Sequence, residues 1–161
     1  KSKNYKEKKM YILKKNFIIL FIIFIFFQFV SYANEEKFLS LKKNKVNVRY
    51  GPSFDFPVKY IYNKINLPIK QIDKKENFRR IIDFKKNSGW IHISQLKKVN
   101  SVITIEDKTL FKKPSIFSKP VANIKKGRLL IVQKCEKDWC KVKTGDLKGW
   151  IDRKNLWGAA N

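Results

Sequence analysis

A chain of 161 residues has room for one or two small domains and excludes a large enzyme built around a deep cleft. Its formal charge of +24 comes from 37 basic against 13 acidic residues, and only five of the basic ones, at 49, 79, 80, 128 and 153, are arginine. That lysine bias argues against nucleic-acid recognition, which favours arginine forks on phosphates and bases, and two cysteines with one histidine leave little for a metal site.

Lysines dominate residues 1–15, the apolar run FIILFIIFIFFQFV follows at 17–30, and SYA at 31–33 places Ser31 and Ala33 where a signal peptidase reads small residues. This is the pattern of a secretory signal over residues 1–33, cleaved after Ala33, with Met10 as the start. As a helix the run spans about 21 Å against a hydrocarbon core of roughly 30 Å, so an uncleaved anchor in the inner membrane is the lesser reading. Cleavage removes seven lysines and Glu7, leaving 30 basic and 12 acidic residues, or +18, on an exported, periplasmic body. Two readings of that charge stand. The lysines accompany an abundance of Ile, Asn, Phe and Tyr, as AT-rich codon usage spreads them over solvated faces, or they draw the protein to anionic envelope surfaces such as lipid phosphates and peptidoglycan carboxylates. Nucleic-acid binding would require retention in the cytoplasm.

From Phe38 the chain is written in short β-rich runs: FLSLK, VNVRY, VKYIY, LPIKQID, FRRIID and GWIHI, separated by turn clusters such as GPSFDFP and FKKNS. No stretch beyond residue 33 holds a helical period over eleven residues, so the fold class is all-β. After KKVN at 97–100 the series restarts with VITIE, TLFKKPS, VANI, RLLIVQKC, WCKVK and GWID. Pro52-Ser53 answers to Pro114-Ser115, Pro57-Val58 to Pro120-Val121, Phe78 to Trp139, Gly89-Trp90 to Gly149-Trp150 and Leu96 to Leu156. Two tandem small β-barrels are expected, over residues 38–99 and 101–158. In each, alternation puts the Trp and Ile of Gly-Trp-Ile on opposite faces, the Gly leaves a turn tightly or admits another backbone, and the later Leu plugs the barrel from a short helical turn.

Chemistry is sparse. His92 is the lone histidine, no Ser-His-Asp or nucleophile-elbow pattern occurs, and no Gly-rich phosphate loop or metal-ligand spacing is present, so neither enzyme, metal nor cofactor is expected. In CEKDWCKV, Cys135 ends one strand and Cys140 lies in the next, across a tight hairpin. Antiparallel partners there come close enough for a disulfide in an oxidising compartment. The segment RYGPSFDFPVKYIY (49–62) holds Tyr50, Phe54, Phe56, Tyr60 and Tyr62, more aromatics than one small core can take.

VNVRYGPS, NFRRI, GWIHISQL and, in the second copy, LFKKPS, DWCKVK and GWIDRKNLWG together resemble the bacterial SH3-like (SH3b) family, in particular small exported proteobacterial proteins with two such domains, over nearly all of residues 38–158. The resemblance implies a non-enzymatic binding module of the cell envelope, and it puts the main groove at the loop from Gly51 to Pro57. Arg49, Tyr50, Phe54, Asp55, Phe56 and Trp90 are the candidate groove, suited to an extended peptide or a glycan-linked stem peptide of peptidoglycan. In the second copy Phe111 and Lys112 replace the Arg-x-Gly of Arg49 to Gly51, and that copy is expected to stiffen or position the first. The alternative is a structural partner that docks an envelope enzyme or membrane complex through its basic surface, with an anionic membrane surface as a further contact.

Overall fold

The structure, a computed structural model, describes residues 37–158. The signal segment, its cleavage after Ala33 and the anchor alternative lie outside the described residues. Among the described residues no helix is long and apolar enough to cross a membrane. Residues 36–161 form a compact unit of their own, and among the described residues its two cores draw on residues 39–157.

Repeat 1 runs through β1 (Lys37–Leu41), β2 (Val46–Arg49), β3 (Val58–Tyr62), β4 (Pro68–Lys75), β5 (Phe78–Ile82) and β6 (Ser88–His92), then a 3₁₀ turn at Ile93–Gln95 and β7 (Leu96–Lys98). Repeat 2 follows with β8 (Ser101–Thr104), β9 (Lys108–Phe111), β10 (Pro120–Ile124), β11 (Leu129–Glu136), β12 (Trp139–Thr144), β13 (Leu147–Asp152) and β14 (Leu156–Trp157). The sheet orders are the same in both: β3-β2-β6-β5-β4-β1-β7 and β10-β9-β13-β12-β11-β8-β14, antiparallel throughout. The fold is all-β, with two tandem SH3-like domains.

Period-two alternation explains which side of each strand is buried. Val46 and Val48 are fully buried while Asn47 and Arg49 are half-exposed, and Ile91 is buried beside a half-exposed Trp90. Each sheet bends around its own core at matching bulges, where one strand carries an extra residue: Lys59 and Ile72 in repeat 1, Val121 and Gln133 in repeat 2. The glycine of Gly-Trp-Ile admits another backbone. A Cβ on Gly149 would lie 2.7 Å from the Phe111 carbonyl and from Leu110 Cγ, and one on Gly89 would meet Val48 and the Arg49 carbonyl at the same place in repeat 1. The two proline loops differ from the sequence alignment by one step. Arg49 pairs with Val58 and Phe111 with Pro120, so Val58 answers to Pro120 and both loops are the same length; Pro57 and Pro120 are not equivalent.

The repeats share interior. Val102 of β8 belongs to the core of repeat 2, with Leu110, Leu130, Cys140, Val142 and Ile151. Its neighbour Ile103 points the other way, into the core of repeat 1 with Leu41, Val48, Ile69, Ile81 and Ile91. All four residues of β8 are buried. Ser101 Oγ donates to the Asn66 carbonyl at 2.5 Å and lies 3.1 Å from Ser40 Oγ, which satisfies the hydroxyls inside this seam. At the chain's far end Trp157 packs edge-on against Phe38 of β1, with ring centroids 5.2 Å apart.

Candidate functional site

Three strands of repeat 1 bring Arg49, Trp90 and Arg80 into one row. Arg49 on β2 stands opposite Trp90 on β6, which stands opposite Arg80 on β5, and directly opposed residues share a sheet face. This row floors a cavity of about 300 Å³ that Tyr50, Lys59 and Ser88 also line. Lys59, the bulged residue of β3, reaches across it: its Nζ donates to the Ser88 carbonyl at 3.0 Å and sits 5.6 Å from the centre of the Tyr50 ring. Arg80 is exposed, and among the described residues its guanidinium has no ion pair or hydrogen bond. The site is therefore an indole between two guanidiniums, with an ammonium and a phenol at its rim.

Arg49 also builds the loop above the cavity. Its Nη1 donates to the carbonyls of Phe54 (3.1 Å) and Phe56 (2.6 Å), and its guanidinium lies 5.4 Å from the Phe54 ring. Phe54 is 61% exposed, yet one edge is backed by Phe78 and His92, whose rings lie 5.2 and 5.1 Å away. Phe56 lies over Gly51, at the spot a side chain there would need. Asp55 turns back on its own loop, accepting from Ser53 Oγ at 2.6 Å, while Ser53 Oγ accepts from the Asp55 N–H at 3.1 Å. Arg49, Tyr50 and Trp90 thus line the cavity, Phe54 and Phe56 form the exposed loop beside it, and Asp55 is absorbed in the turn.

Lys59, Arg80, Phe78 and His92 complete the surroundings and were not among the groove residues singled out from sequence. Arg80 was legible in part, since NFRRI places two adjacent arginines on a strand and one of them must face with Trp90. His92 serves the fold, because its Nδ1 accepts from the Ser94 N–H at 3.3 Å and caps the 3₁₀ turn. Beneath the far end of β6, Asp83 is buried and accepts from the Lys85 and Asn87 N–H groups, from Asn87 Nδ2 and from the Tyr62 hydroxyl at 3.0 Å. This knot fixes the turn that delivers Ser88, Gly89 and Trp90. Burial pushes the Tyr62 hydroxyl well above the ordinary tyrosine range, and its neighbours Tyr60 and Asp83 push the same way; Tyr60 is raised as well, again by burial.

Repeat 2 keeps the row and changes its character. Phe111 stands opposite Trp150, and Trp150 opposite Lys141. Trp150 is only 8% exposed, Lys134 Nζ lies 5.3 Å from its ring, and Phe111 packs edge-on against Trp139 at 5.7 Å. Cys135 and Cys140 are paired in a disulfide as direct cross-strand partners of β11 and β12, so the hairpin of repeat 2 is stapled. Among the described residues no group of three His, Cys, Asp or Glu is placed to hold a metal ion.

No curated protein matches the chain. Among solved structures, similar folds include NlpC2 from Trichomonas vaginalis, at 10% identity and a TM-score of 0.36, covering 79% of this chain and 49% of that one. NlpC1 from the same organism has 12% identity and a TM-score of 0.36, covering 78% of this chain and 47% of that one. The chain spans about half the length of each. The family model described as the bacterial SH3 domain matches twice, over residues 42–98 and 107–158. Those two segments cover β2 to β7 and β9 to β14, six of the seven strands of each sheet, and the chain belongs to the bacterial SH3 domain family.

Proposed function

We propose that the protein is a non-enzymatic binding module of the cell envelope, in which repeat 1 grips peptidoglycan or an envelope peptide and repeat 2 holds it in place. The observation that carries this reading is the row Arg49–Trp90–Arg80 under an open cavity in repeat 1, against Phe111–Trp150–Lys141 with a nearly buried indole in repeat 2. Guanidiniums suit the carboxylates of a stem peptide, and an indole face suits the apolar face of a sugar or an alkyl stem. Phe54 and Phe56, exposed on a loop that Arg49 holds by two carbonyls, supply further contact area. On this reading the protein is exported and works in the periplasm.

The test is sedimentation of residues 36–161 with isolated peptidoglycan sacculi, from roughly 50 to 500 mM salt, where the Debye length falls from about 14 to about 4 Å. Binding that persists at high salt and is lost in the Phe54→Ala/Phe56→Ala variant supports the groove. Binding that vanishes with salt and ignores that variant favours the second reading, a charge-driven partner of an envelope enzyme or membrane complex, which the lysine-rich surface would serve.

A further inference from the structure

The loop of repeat 2 that answers to the groove loop has a different face. Both loops are closed by the same backbone bond, Tyr50 N–H to Pro57 carbonyl at 3.2 Å and Lys112 N–H to Lys119 carbonyl at 2.9 Å. Both are braced by a serine: Ser53 Oγ accepts from the Asp55 N–H, and Ser115 Oγ from the Phe117 N–H at 3.2 Å. Equal length and equal bracing make Phe54 answer to Ile116 and Asp55 to Phe117. In repeat 1 the aromatic is backed by Phe78 and His92, and the next residue is a carboxylate bonded to its own loop. In repeat 2 the same two positions are both large and apolar, with Ile116 67% and Phe117 93% exposed. The Phe117 ring has no aromatic or cation–π partner among the described residues.

The tip is rigid. Lys113 N–H donates to Ser118 Oγ at 2.9 Å and Ser118 N–H to the Ser115 carbonyl at 3.1 Å, so the two apolar side chains are held out in water by a bonded turn. Around them stand Lys112, Lys113 and Lys119, all exposed, with no acidic residue between 108 and 135. The loop joins β9 to the edge strand β10, at the opposite end of the sheet order from β14, which packs on repeat 1. An exposed apolar tip on a loop that carries three exposed lysines matches one surface chemically: an anionic lipid interface, where the side chains enter the acyl boundary and the lysines meet headgroup phosphates.

We infer that the Lys112–Lys119 loop of repeat 2 is a membrane-contact tip that inserts Ile116 and Phe117 into an anionic lipid surface. It is distinct from the groove of repeat 1, so the two surfaces fail separately. The test uses residues 36–161 and vesicles of phosphatidylcholine, with or without about 30% phosphatidylglycerol, in cosedimentation at low and high salt. The unaltered unit binds the anionic vesicles. Phe117→Ala weakens that binding about tenfold or more, and Lys112→Gln and Lys113→Gln weaken it about fivefold each at low salt. Because Phe117 is almost fully exposed, its removal leaves the thermal midpoint unchanged, and sacculus binding through repeat 1 is also unaffected. Equal vesicle binding by Phe117→Ala and the unaltered unit overturns the inference in favour of diffuse adsorption by charge. So does a Phe117→Ala effect confined to self-association in analytical ultracentrifugation, or to sacculus binding, which would assign the tip to a second copy of this chain or to the wall.

Discussion

The indole N–H of Trp157 donates to the backbone carbonyl of Pro68, 89 residues earlier, at 3.3 Å. One side chain at the end of repeat 2 thereby caps the start of β4 in repeat 1 while its ring meets Phe38. Gly158 follows with φ of 116°, and a Cβ there would lie 2.6 Å from the Ser101 carbonyl and 3.1 Å from Pro68, so the segment Trp157-Gly158 is fitted to the seam. Trp157→Ala is expected to destabilise the unit by about 2–4 kcal/mol through lost packing and an unpaired carbonyl. In urea unfolding followed by far- and near-UV circular dichroism, the parent unfolds in one step. The variant unfolds earlier, with the two repeats no longer in phase; an unchanged midpoint would remove Trp157 from the seam.

The glycines of the paired Gly-Trp-Ile motifs give a second expectation. Gly89→Ala and Gly149→Ala each drive a methyl into the crossing strand, at an expected cost of about 1–3 kcal/mol. Thermal denaturation checks it, and a midpoint within a degree of the parent for both would show that β2 and β9 yield without strain.

Reducing or replacing the pair Cys135 and Cys140 opens a short loop across one hairpin. The expected loss is about 2 kcal/mol. Urea midpoints with and without dithiothreitol measure it, and Cys135→Ala/Cys140→Ala is expected to reproduce the reduced protein.

Arg80 and Arg49 separate binding from architecture. Arg80→Ala is expected to leave stability within about 0.5 kcal/mol, as an exposed surface change, while weakening sacculus binding. Arg49→Ala loses binding and also about 1 kcal/mol, because two loop carbonyls lose their donor. Arg49→Lys keeps the charge without the fork and is expected to behave closer to Ala than to Arg in the binding assay.

The tyrosine pair predicts a pH dependence. Below about pH 10 Tyr62 is protonated in both folded and unfolded chains. Above it the unfolded residue ionises while burial keeps the folded one neutral, so the unfolded state binds fewer protons and stability falls as pH rises. Tyr62→Phe loses the bond to Asp83, costing about 1 kcal/mol at pH 7, but it also loses this alkaline penalty. The stability gap between parent and variant therefore narrows above about pH 10, which urea midpoints between pH 8 and about pH 11 would reveal; a constant gap would mean that Tyr62 ionises as readily folded as unfolded.

How far the fold and the groove can be read along the chain depends on the range of each interaction. Period-two alternation identified Trp90 and Ile91 as facing opposite ways, and hairpin spacing paired Cys135 with Cys140, because both are nearest-neighbour consequences of strand geometry. The crowding of aromatics at 49–62 showed that one small core could not take them all but did not say which would stay out; Tyr60 and Tyr62 pack against the core, and Tyr50, Phe54 and Phe56 are exposed. What stayed hidden was set by bulges and by contacts across the seam. Ile72 is an extra residue in β4, so counting along the strand does not tell which neighbour Arg80 opposes. LWG at 156–158 reads as the end of one barrel, and only the three-dimensional seam shows Trp157 serving the other. Phe117 looks like any core aromatic until the loop is found braced with its ring in water.

The alternation of Val102 and Ile103 into two different cores sets a rule for how such a chain can change. A strand whose odd and even residues belong to separate interiors is an indexing device and cannot act as a tether. One residue inserted between Asn100 and Val102 would swap the two side chains between cores of different shape, while two would restore their faces but shift the register against β11. The connection between the repeats is therefore locked in length, whereas the two proline loops lie outside both cores, where residues can differ between the repeats as Phe54 and Asp55 differ from Ile116 and Phe117.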